Sequence, residues 1–151
     1  MPVTIVRVVG TGEPGCSPPG TVCDVRILLA SPGMALGGAE RVVCSLATGL
    51  CARGHDVAVS GAAGPLDAEL PPEVRRLVLA ERGRSPLGVA EWTLLQAVFI
   101  RAFRPHIVHA QNTKATVIAA AAARAPAAPR RPPVLATHPV SYTHLTLPTK
   151  A

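Results

Sequence analysis

Short apolar runs alternate with helix-patterned segments along residues 25–138, and this alternation restricts the fold more than any other feature of the chain. Runs of this length, bounded by Gly, Pro and polar residues, are typical of strands buried on both faces of a parallel sheet. We therefore predict an α/β fold in which parallel strands are joined by right-handed crossovers, with helices on both faces of the sheet. The five predicted strands cover residues 25–30, 56–60, 74–80, 106–110 and 134–137.

The segments between these strands predict three helices, at residues 38–52, 87–103 and 114–124. In the first, apolar residues recur at i, i+3, i+4 and i+7 from Val43, which places them on one helix face. Gly54 follows and suits the left-handed conformation that commonly ends a helix. The second helix includes Trp92 and Phe99, which we expect in the core.

Three regions of different character divide the chain. Residues 1–24 form a Pro- and Gly-rich lead segment with a β-like run at 3–9, and we expect this segment to be disordered. Residues 25–139 form the predicted domain, and Val25 is an alternative native start. Residues 140–151 break the apolar rhythm and contain Val-Ser-Tyr-Thr-His-Leu, which one reading frame of a common sequencing-library adapter encodes. We interpret them as an artefactual tail; a genuine polar tail is the alternative.

Composition excludes several classes of protein. With 48% hydrophobic and 16% charged residues, the chain is too apolar to be disordered as a whole. The net charge of +6 comes from scattered Arg residues such as Arg75 and Arg76, without a basic stripe interleaved with aromatic residues. We therefore expect no nucleic-acid partner, but a weak peripheral attraction to acidic membranes. Without a spanning stretch or a secretory signal, the predicted location is the cytoplasm or the inner face of the membrane.

The cysteines and histidines lack the spacing of a zinc site, and no metal is predicted. Cys44 and Cys51 share one face of a predicted helix but lie about 10 Å apart, which is too far for a disulfide. We interpret them, together with Cys16 and Cys23, as thiols without a function in a reducing compartment.

Two glycine patterns invite a nucleotide-binding interpretation. Residues 10–15 have the G-x-G-x-x-G spacing, but a dinucleotide fingerprint must open a helix, and the prolines within and after this segment prevent one. Gly37 and Gly38 instead follow the first predicted strand and open the first predicted helix, where exposed amides favour anions. A tight turn, with Glu40 offsetting the helix dipole, is the equally weighted alternative.

Five segments stand in a distinctive order and spacing: residues 25–33, 37–41, 50–57, 104–115 and 133–138. They read Val-Arg-Ile-Leu-Leu-Ala-Ser-Pro-Gly, Gly-Gly-Ala-Glu-Arg, Leu-Cys-Ala-Arg-Gly-His-Asp-Val, Arg-Pro-His-Ile-Val-His-Ala-Gln-Asn-Thr-Lys-Ala and Pro-Val-Leu-Ala-Thr-His. Together they resemble the first half of family 4 glycosyltransferases. The resemblance implies a Rossmann-like sheet, the N-terminal domain of the two-domain GT-B fold.

The same resemblance implies roles for individual residues. Gly37 and Gly38 would form a loop facing the inter-domain cleft, near the donor phosphates and the acceptor. His109 and Asn112 would point into this cleft from the end of the fourth strand. His138, at the end of the fifth strand, would lie close to the transferred sugar, so His109 and His138 are the catalytic candidates.

Simpler interpretations remain open at several positions. His109 is alternatively a satisfied core histidine, and His106 and His55 are interpreted as a surface residue and a turn residue. Lys114 is either a solvated residue in the first turn of its helix or a contact for an acidic acceptor. Many relatives have a second histidine where Gln111 stands.

The implied reaction moves a sugar from a nucleotide-sugar donor to an acceptor hydroxyl, with retention at the anomeric carbon and without a cofactor or metal. The acceptor is unidentified, with lipid-linked molecules and glycans both open. Because the C-terminal domain supplies most donor contacts in this family, residues 25–139 would form one wall of the cleft and have little activity alone. The alternatives are a non-catalytic nucleotide- or sugar-binding module and a Rossmann oxidoreductase fragment. The absence of a dinucleotide fingerprint argues against the oxidoreductase.

Overall fold

The computed structural model describes residues 8–9, 25–80, 85–125 and 131–138, and a six-stranded sheet is the centre of this part of the chain. Its strands are β1 (Val8–Val9), β2 (Arg26–Gly33), β3 (Asp56–Ala62), β4 (Arg75–Leu79), β5 (Ile107–Gln111) and β6 (Val134–Thr137). Their order is β1-β4-β3-β2-β5-β6. The β1–β4 pair is antiparallel, and the other four pairs are parallel.

Three α-helices and a short 3-10 helix connect these strands: α1 (Gly38–Cys51), α2 (Pro86–Phe103), α3 (Thr113–Arg124) and the 3-10 helix (Pro65–Glu69). The predicted α/β fold with a five-stranded parallel sheet is therefore confirmed. The strand β1 lies within the predicted β-like run of the lead segment, and only its antiparallel pairing with β4 was not predicted. The glycine pattern at 10–15, Cys16, Cys23 and the tail at 140–151 lie outside the described residues.

Two strands run further than the apolar pattern indicates. The strand β2 continues to Gly33, with a register irregularity between Ala30 and Gly33, and β3 continues to Ala62. Gly61 in this extension still pairs with Val78 of β4. Small and polar residues can continue a ladder because the paired groups belong to the backbone, so hydropathy underestimates the carboxyl ends of these strands.

Alternate residues of each strand pack on opposite faces of the sheet, which gives two hydrophobic clusters. The helices α2 and α3 cover the first, around Leu28, Val108 and Ile118. The helix α1 and the 3-10 helix cover the second, around Leu29 and Val59. Because crossovers on both faces bury the central strands, those strands read as continuous apolar runs.

Local signals fix the helix ends. Gly54 has a φ of 82° after α1, as predicted, and the next residue's N–H reaches the carbonyl of Leu50 at 3.1 Å. Ser85 caps α2 by accepting from the N–H of Gly88 at 3.1 Å. Trp92 is buried in the core, as predicted, and its Nε1 donates to the carbonyl of Ala80 at 2.8 Å.

Arg76 is one of the scattered arginines in the sequence, yet its side chain is buried beneath the carboxyl end of β3. Its guanidinium donates to the carbonyls of Val59 and Ala62 at 3.1 and 2.9 Å and pairs with Asp67 at 2.8 Å. Asp67 also accepts from the N–H of Gly64 at 3.0 Å. This network ties β4, β3 and the 3-10 helix together at one end of the sheet.

The described cysteines, Cys44 and Cys51, form no disulfide. Burial raises the pKa of the Cys44 thiol, which extends from α1 toward the 3-10 helix, with its Sγ 3.7 Å from the carbonyl of Leu66. Within the described residues, no cluster of His, Cys, Asp and Glu is arranged to hold a metal ion. The helices of that same part of the chain lack the length and apolarity that crossing a bilayer requires.

Candidate functional site

The strand order reverses direction at one place in the sheet, between β2 and β5. From β2 the chain passes through α1 to β3 on one side, and from β5 it passes through α3 to β6 on the other. The helices α1 and α3 lie on opposite faces of the sheet, and both begin at its carboxyl edge. A crevice opens at such a reversal, and ligands of open parallel sheets bind there.

The loop between β2 and α1 forms one wall of this crevice. Its conformation is fixed from both sides, because the Met34 N–H donates to the carbonyl of Ala62 and the Met34 carbonyl accepts from the N–H of Leu66, both at 3.1 Å. The Ser31 hydroxyl donates to the carbonyl of Gly33 at 2.8 Å. The start of α1 is therefore presented on a well-anchored loop.

Gly37 and Gly38 are placed at the start of α1, as the sequence predicts. Gly37 is the N-cap, with extended backbone and no side-chain cap for the helix amides. A Cβ at Gly38 would meet nothing within 4 Å, and one at Gly37 would meet only the flexible carboxylate of Glu40. Packing does not require glycine at these two positions, and the first amides of α1 have no side chain capping them from this segment.

Packing does require glycine at two positions on β3 and beyond it. Gly61 has a φ of 154°, and a Cβ there would lie 2.5 Å from the carbonyl oxygen of Ser31. A Cβ at Gly64 would collide with the backbone of Met34. Sequence reasoning missed both, although a lone glycine within a strand pattern is a known sign of close backbone approach.

His109 is the centre of a polar group on β5 and β6. Its Nε2 lies 2.7 Å from Oγ1 of Thr137 and 3.2 Å from Nε2 of Gln111. The helix α1 packs mainly against β2 and β3, so this part of the face is half open, and Leu135 beside His109 is 52% exposed. Partial burial lowers the pKa of His109, so its imidazole is neutral at neutral pH.

His138 lies at the end of β6, where its Nδ1 is 3.3 Å from Oγ1 of Thr113, the first residue of α3. The two candidate catalytic histidines thus lie on neighbouring strands, His109 in the middle of β5 and His138 just past the end of β6, each with its own threonine partner. Thr137, Thr113 and Gln111 were not predicted as site residues. The signal for the threonines was their position at the predicted strand and helix ends, where parallel strands place side chains together.

Asn112 has a structural role that the sequence did not reveal. Its φ is 100°, and its Oδ1 accepts from the N–H of Ala115 at 2.9 Å, which caps the start of α3. Its side-chain oxygen is therefore already used. Its backbone N–H donates to the carbonyl of Thr137 at 2.9 Å, which continues the β5–β6 ladder into the crevice.

Lys114 points away from this polar group. Its Nζ lies 4.6 Å from the centroid of the Trp92 ring, a cation–π contact with α2. Trp92 belongs to the cluster beneath α2 and α3, whereas His109 faces the α1 side of the sheet. The structure therefore brings His109, Thr137 and Gln111 together and leaves Lys114 on the opposite face.

A family model matches most of the chain, and it is described as Glycosyltransferase Family 4, over residues 36–147. The chain belongs to this family. The match includes every predicted site residue, from Gly37 to His138, and it runs on into residues 140–147, the first part of the segment predicted as an artefactual tail. No curated protein matches the chain.

A solved structure, the crystal structure of a glycosyltransferase from Rickettsia africae ESF-5, is similar to this family 4 chain, with 17% sequence identity and a TM-score of 0.58. The similarity covers 76% of this chain and 30% of that one, so the chain spans less than a third of the neighbour's length. At this identity the likeness concerns the fold, and it agrees with the predicted Rossmann-like sheet.

Proposed function

We propose that this chain is the N-terminal, acceptor-side wall of a retaining glycosyltransferase, which moves a sugar from a nucleotide-sugar donor to an acceptor hydroxyl. The observation that carries the proposal is the placement of the starts of α1 and α3 on either side of the crevice between β2 and β5. Family membership supports the reaction class, and the strand reversal is the place where ligands of open parallel sheets bind.

The donor diphosphate is the group that this crevice would attract. Helix N-termini carry partial positive charge and unpaired N–H groups. At the start of α1 the space beside Gly38 is open, whereas the flexible Glu40 carboxylate lies against Gly37 and would have to move away from an anionic ligand. When the bond between the anomeric carbon and the phosphate oxygen breaks, its electron pair goes to the diphosphate. Amides fixed in advance near that oxygen would stabilise the developing charge.

His109 and His138 are proposed to position the acceptor and the sugar. A neutral imidazole has one donor and one acceptor nitrogen, so His109 can hydrogen bond a sugar or acceptor hydroxyl without adding charge. Thr137 and Gln111 restrict its orientation. Such positioning contributes to the rate by holding reacting groups in a productive geometry.

We propose that residues 25–139 alone have little or no transferase activity. Family members close a cleft between two domains, and this chain covers 30% of the length of its structural neighbour. A single wall lacks half of the groups that would surround the transition state. A non-catalytic nucleotide- or sugar-binding module is the second candidate, and it would use the same crevice.

For the acceptor, a lipid-linked molecule is favoured by an exposed apolar stripe on α2. Leu87, Leu94 and Val98 are 82%, 66% and 57% exposed and recur at the spacing of one helix face. Trp92, on the same helix, is buried and does not contribute to this stripe. We propose peripheral contact with the inner face of a membrane through this stripe.

Replacing Leu94 and Val98 with Ser should abolish co-sedimentation with vesicles that bind the unaltered chain.

Nuclear magnetic resonance of the 15N-labelled 151-residue chain, titrated with a panel of nucleotide-sugars, tests the site. We expect weak, saturable shifts at Gly37, Gly38 and Asn112, and no release of sugar. Shifts confined to other parts of the sheet would contradict the crevice assignment.

Expression of the reading frame that continues past residue 139 at the source locus tests the reaction. The extended protein should transfer sugar, and the anomeric configuration of its product should match that of the donor. Tight binding by the 151-residue chain, with no gain of transfer on extension, would favour the binding module instead. An inverted product would overturn the retaining assignment alone.

A further inference from the structure

A second cavity lies at the opposite end of the sheet from the crevice, where β2, β5 and β6 begin, and has a volume of about 520 Å³. Its polar lining consists of Arg26, Arg104, His106 and Arg131. Ile100 and three prolines supply the apolar part of the lining. None of these residues takes part in the proposed transferase site. We refer to this cavity as the amino-end pocket.

The amino-end pocket concentrates positive charge. Three of its lining residues are arginines, and none is acidic. In the described ranges of the chain, Arg75 pairs with Asp56 and Arg76 pairs with Asp67, and both of these ion pairs lie outside the pocket. A concave site lined by one sign of charge raises the local concentration of counter-ions of the other sign.

Backbone hydrogen bonds hold part of this lining in place. Nε of Arg26 donates to the carbonyl of Arg104 at 2.9 Å, and the Arg26 N–H donates to Nδ1 of His106 at 3.0 Å. The N–H of His106 donates back to the carbonyl of Arg26 at 2.8 Å. Arg104 ends α2 in the left-handed conformation, with a φ of 52°. Groups already ordered in the free protein lose less entropy when a ligand binds.

The donors that remain suit a phosphate. Because Nδ1 of His106 accepts a hydrogen bond from the Arg26 N–H, Nε2 is the ring nitrogen left to donate to a ligand. Guanidinium groups match phosphate oxygens in bidentate geometry, and several of them together balance a dianion better than a monoanion. The lining contains no Phe, Tyr or Trp ring on which a nucleic-acid base could stack.

We propose that the amino-end pocket binds a dianionic phosphate group, as in a phosphate monoester or a diphosphate, with Ile100 and the prolines contacting the rest of the ligand. The phosphate can belong to a soluble metabolite or to an anionic lipid headgroup. This site is separate from the donor crevice, and its occupancy does not depend on the proposed transferase reaction.

Titration calorimetry of the full 151-residue chain with inorganic pyrophosphate tests the pocket. We expect saturable binding that weakens about tenfold in Arg131→Gln and in Arg104→Gln, since each change removes charged hydrogen bonds to the ligand. Arg53→Gln is the matched control. It removes the same charge from an exposed arginine that contacts Gly49 outside the pocket, and its affinity should match that of the unaltered chain.

Vesicles of phosphatidylcholine with and without phosphatidic acid distinguish the source of the phosphate. Binding to phosphatidic acid that pyrophosphate displaces, and that Arg131→Gln weakens, assigns the pocket to a lipid headgroup. Pyrophosphate binding that Arg131→Gln weakens, without vesicle binding, assigns the pocket to a soluble phosphate. Absence of both, or equal losses in Arg53→Gln and Arg131→Gln, would overturn the proposal. Shift mapping at residues 104–106, far from Gly37, separates this result from any failure of the crevice assignment.

Discussion

Nε2 of His109 lies 2.7 Å from Oγ1 of Thr137, across the carboxyl ends of β5 and β6. This hydrogen bond links two strands that meet at the edge of the crevice. It also holds the imidazole in a position where burial favours its neutral form. The stability of the domain and the chemistry of the candidate site therefore depend on the same side chain.

The pH dependence of stability should reveal this histidine. Because the pKa of His109 is lower in the folded chain than the ordinary value of 6.5, the unfolded chain binds more protons just below that pH. The free energy of unfolding should therefore fall as pH drops below 6.5, until the folded imidazole also titrates. Urea unfolding at a series of pH values should show that the free energy of unfolding declines less steeply with falling pH in His109→Gln than in the unaltered chain. His55→Gln, between α1 and β3 and outside both proposed sites, is the control and should keep the decline; equal slopes in all three proteins would contradict the assignment.

Arg75 and Arg76 offer the same substitution at two adjacent but different sites. Arg76→Met should lower the free energy of unfolding by about 3 kcal/mol, because it strands a partly buried carboxylate and several carbonyls. Arg75→Met breaks an ion pair whose side chains are 31% and 18% exposed, and should cost about 1 kcal/mol or less. Chemical denaturation measures both. Similar losses in the two variants would mean that the burial of Arg76 does not determine its contribution to the free energy of unfolding.

The glycines divide into two groups by what surrounds them. Gly64→Ala should lower stability by about 2 kcal/mol, because its methyl group would collide with the Met34 backbone. Gly38→Ala faces open space and should leave the thermal midpoint nearly unchanged. If ligands use the start of α1, Gly38→Ala should nonetheless weaken the nucleotide-sugar shifts. Intact ligand shifts in Gly38→Ala would remove this residue from the site.

Two buried serines should respond in opposite directions to removal of their hydroxyl groups. Within the described residues, Oγ of Ser60 is buried and finds no hydrogen-bond partner, so Ser60→Ala should raise the free energy of unfolding by about 1 kcal/mol. The hydroxyl of Ser31 donates to the carbonyl of Gly33, so Ser31→Ala should lower it by a similar amount, about 1 kcal/mol. Denaturant titration of both variants beside the unaltered chain measures these changes in the free energy of unfolding. A lower free energy of unfolding in Ser60→Ala would contradict the prediction for Ser60.

The five parallel strands could be predicted because burial on both faces leaves a continuous apolar run in the sequence. The β-like run at residues 3–9 was predicted, but the antiparallel pairing of β1 with β4 was not, since it depends on a contact between distant parts of the chain. The burial of Arg76 could not be predicted either, because it also depends on contacts between separate elements. Its partners Val59, Ala62 and Asp67 come from other elements.

The candidate site was predictable to the extent that strand ends determine it. His109 and His138 follow from parallel strands whose carboxyl ends meet at one edge. The direction of the Lys114 side chain could not be predicted in this way, because the packing of α3 against α2 directs its ammonium group to Trp92. The capping role of Asn112 depends on a φ of 100°, which residue type alone does not determine.

The two edge strands of the sheet differ in how open they are to further pairing, so a second chain would add at one edge rather than at both. On one margin β1 runs antiparallel along β4, while on the other, among the described residues, β6 pairs with β5 alone. The outer margin of β6 is short and carries the half-exposed Leu135. Unpaired strand margins recruit further strands, whether from the same polypeptide or from another copy. Self-association of the 151-residue chain should therefore begin at β6, and a charged residue in place of Leu135 should suppress it.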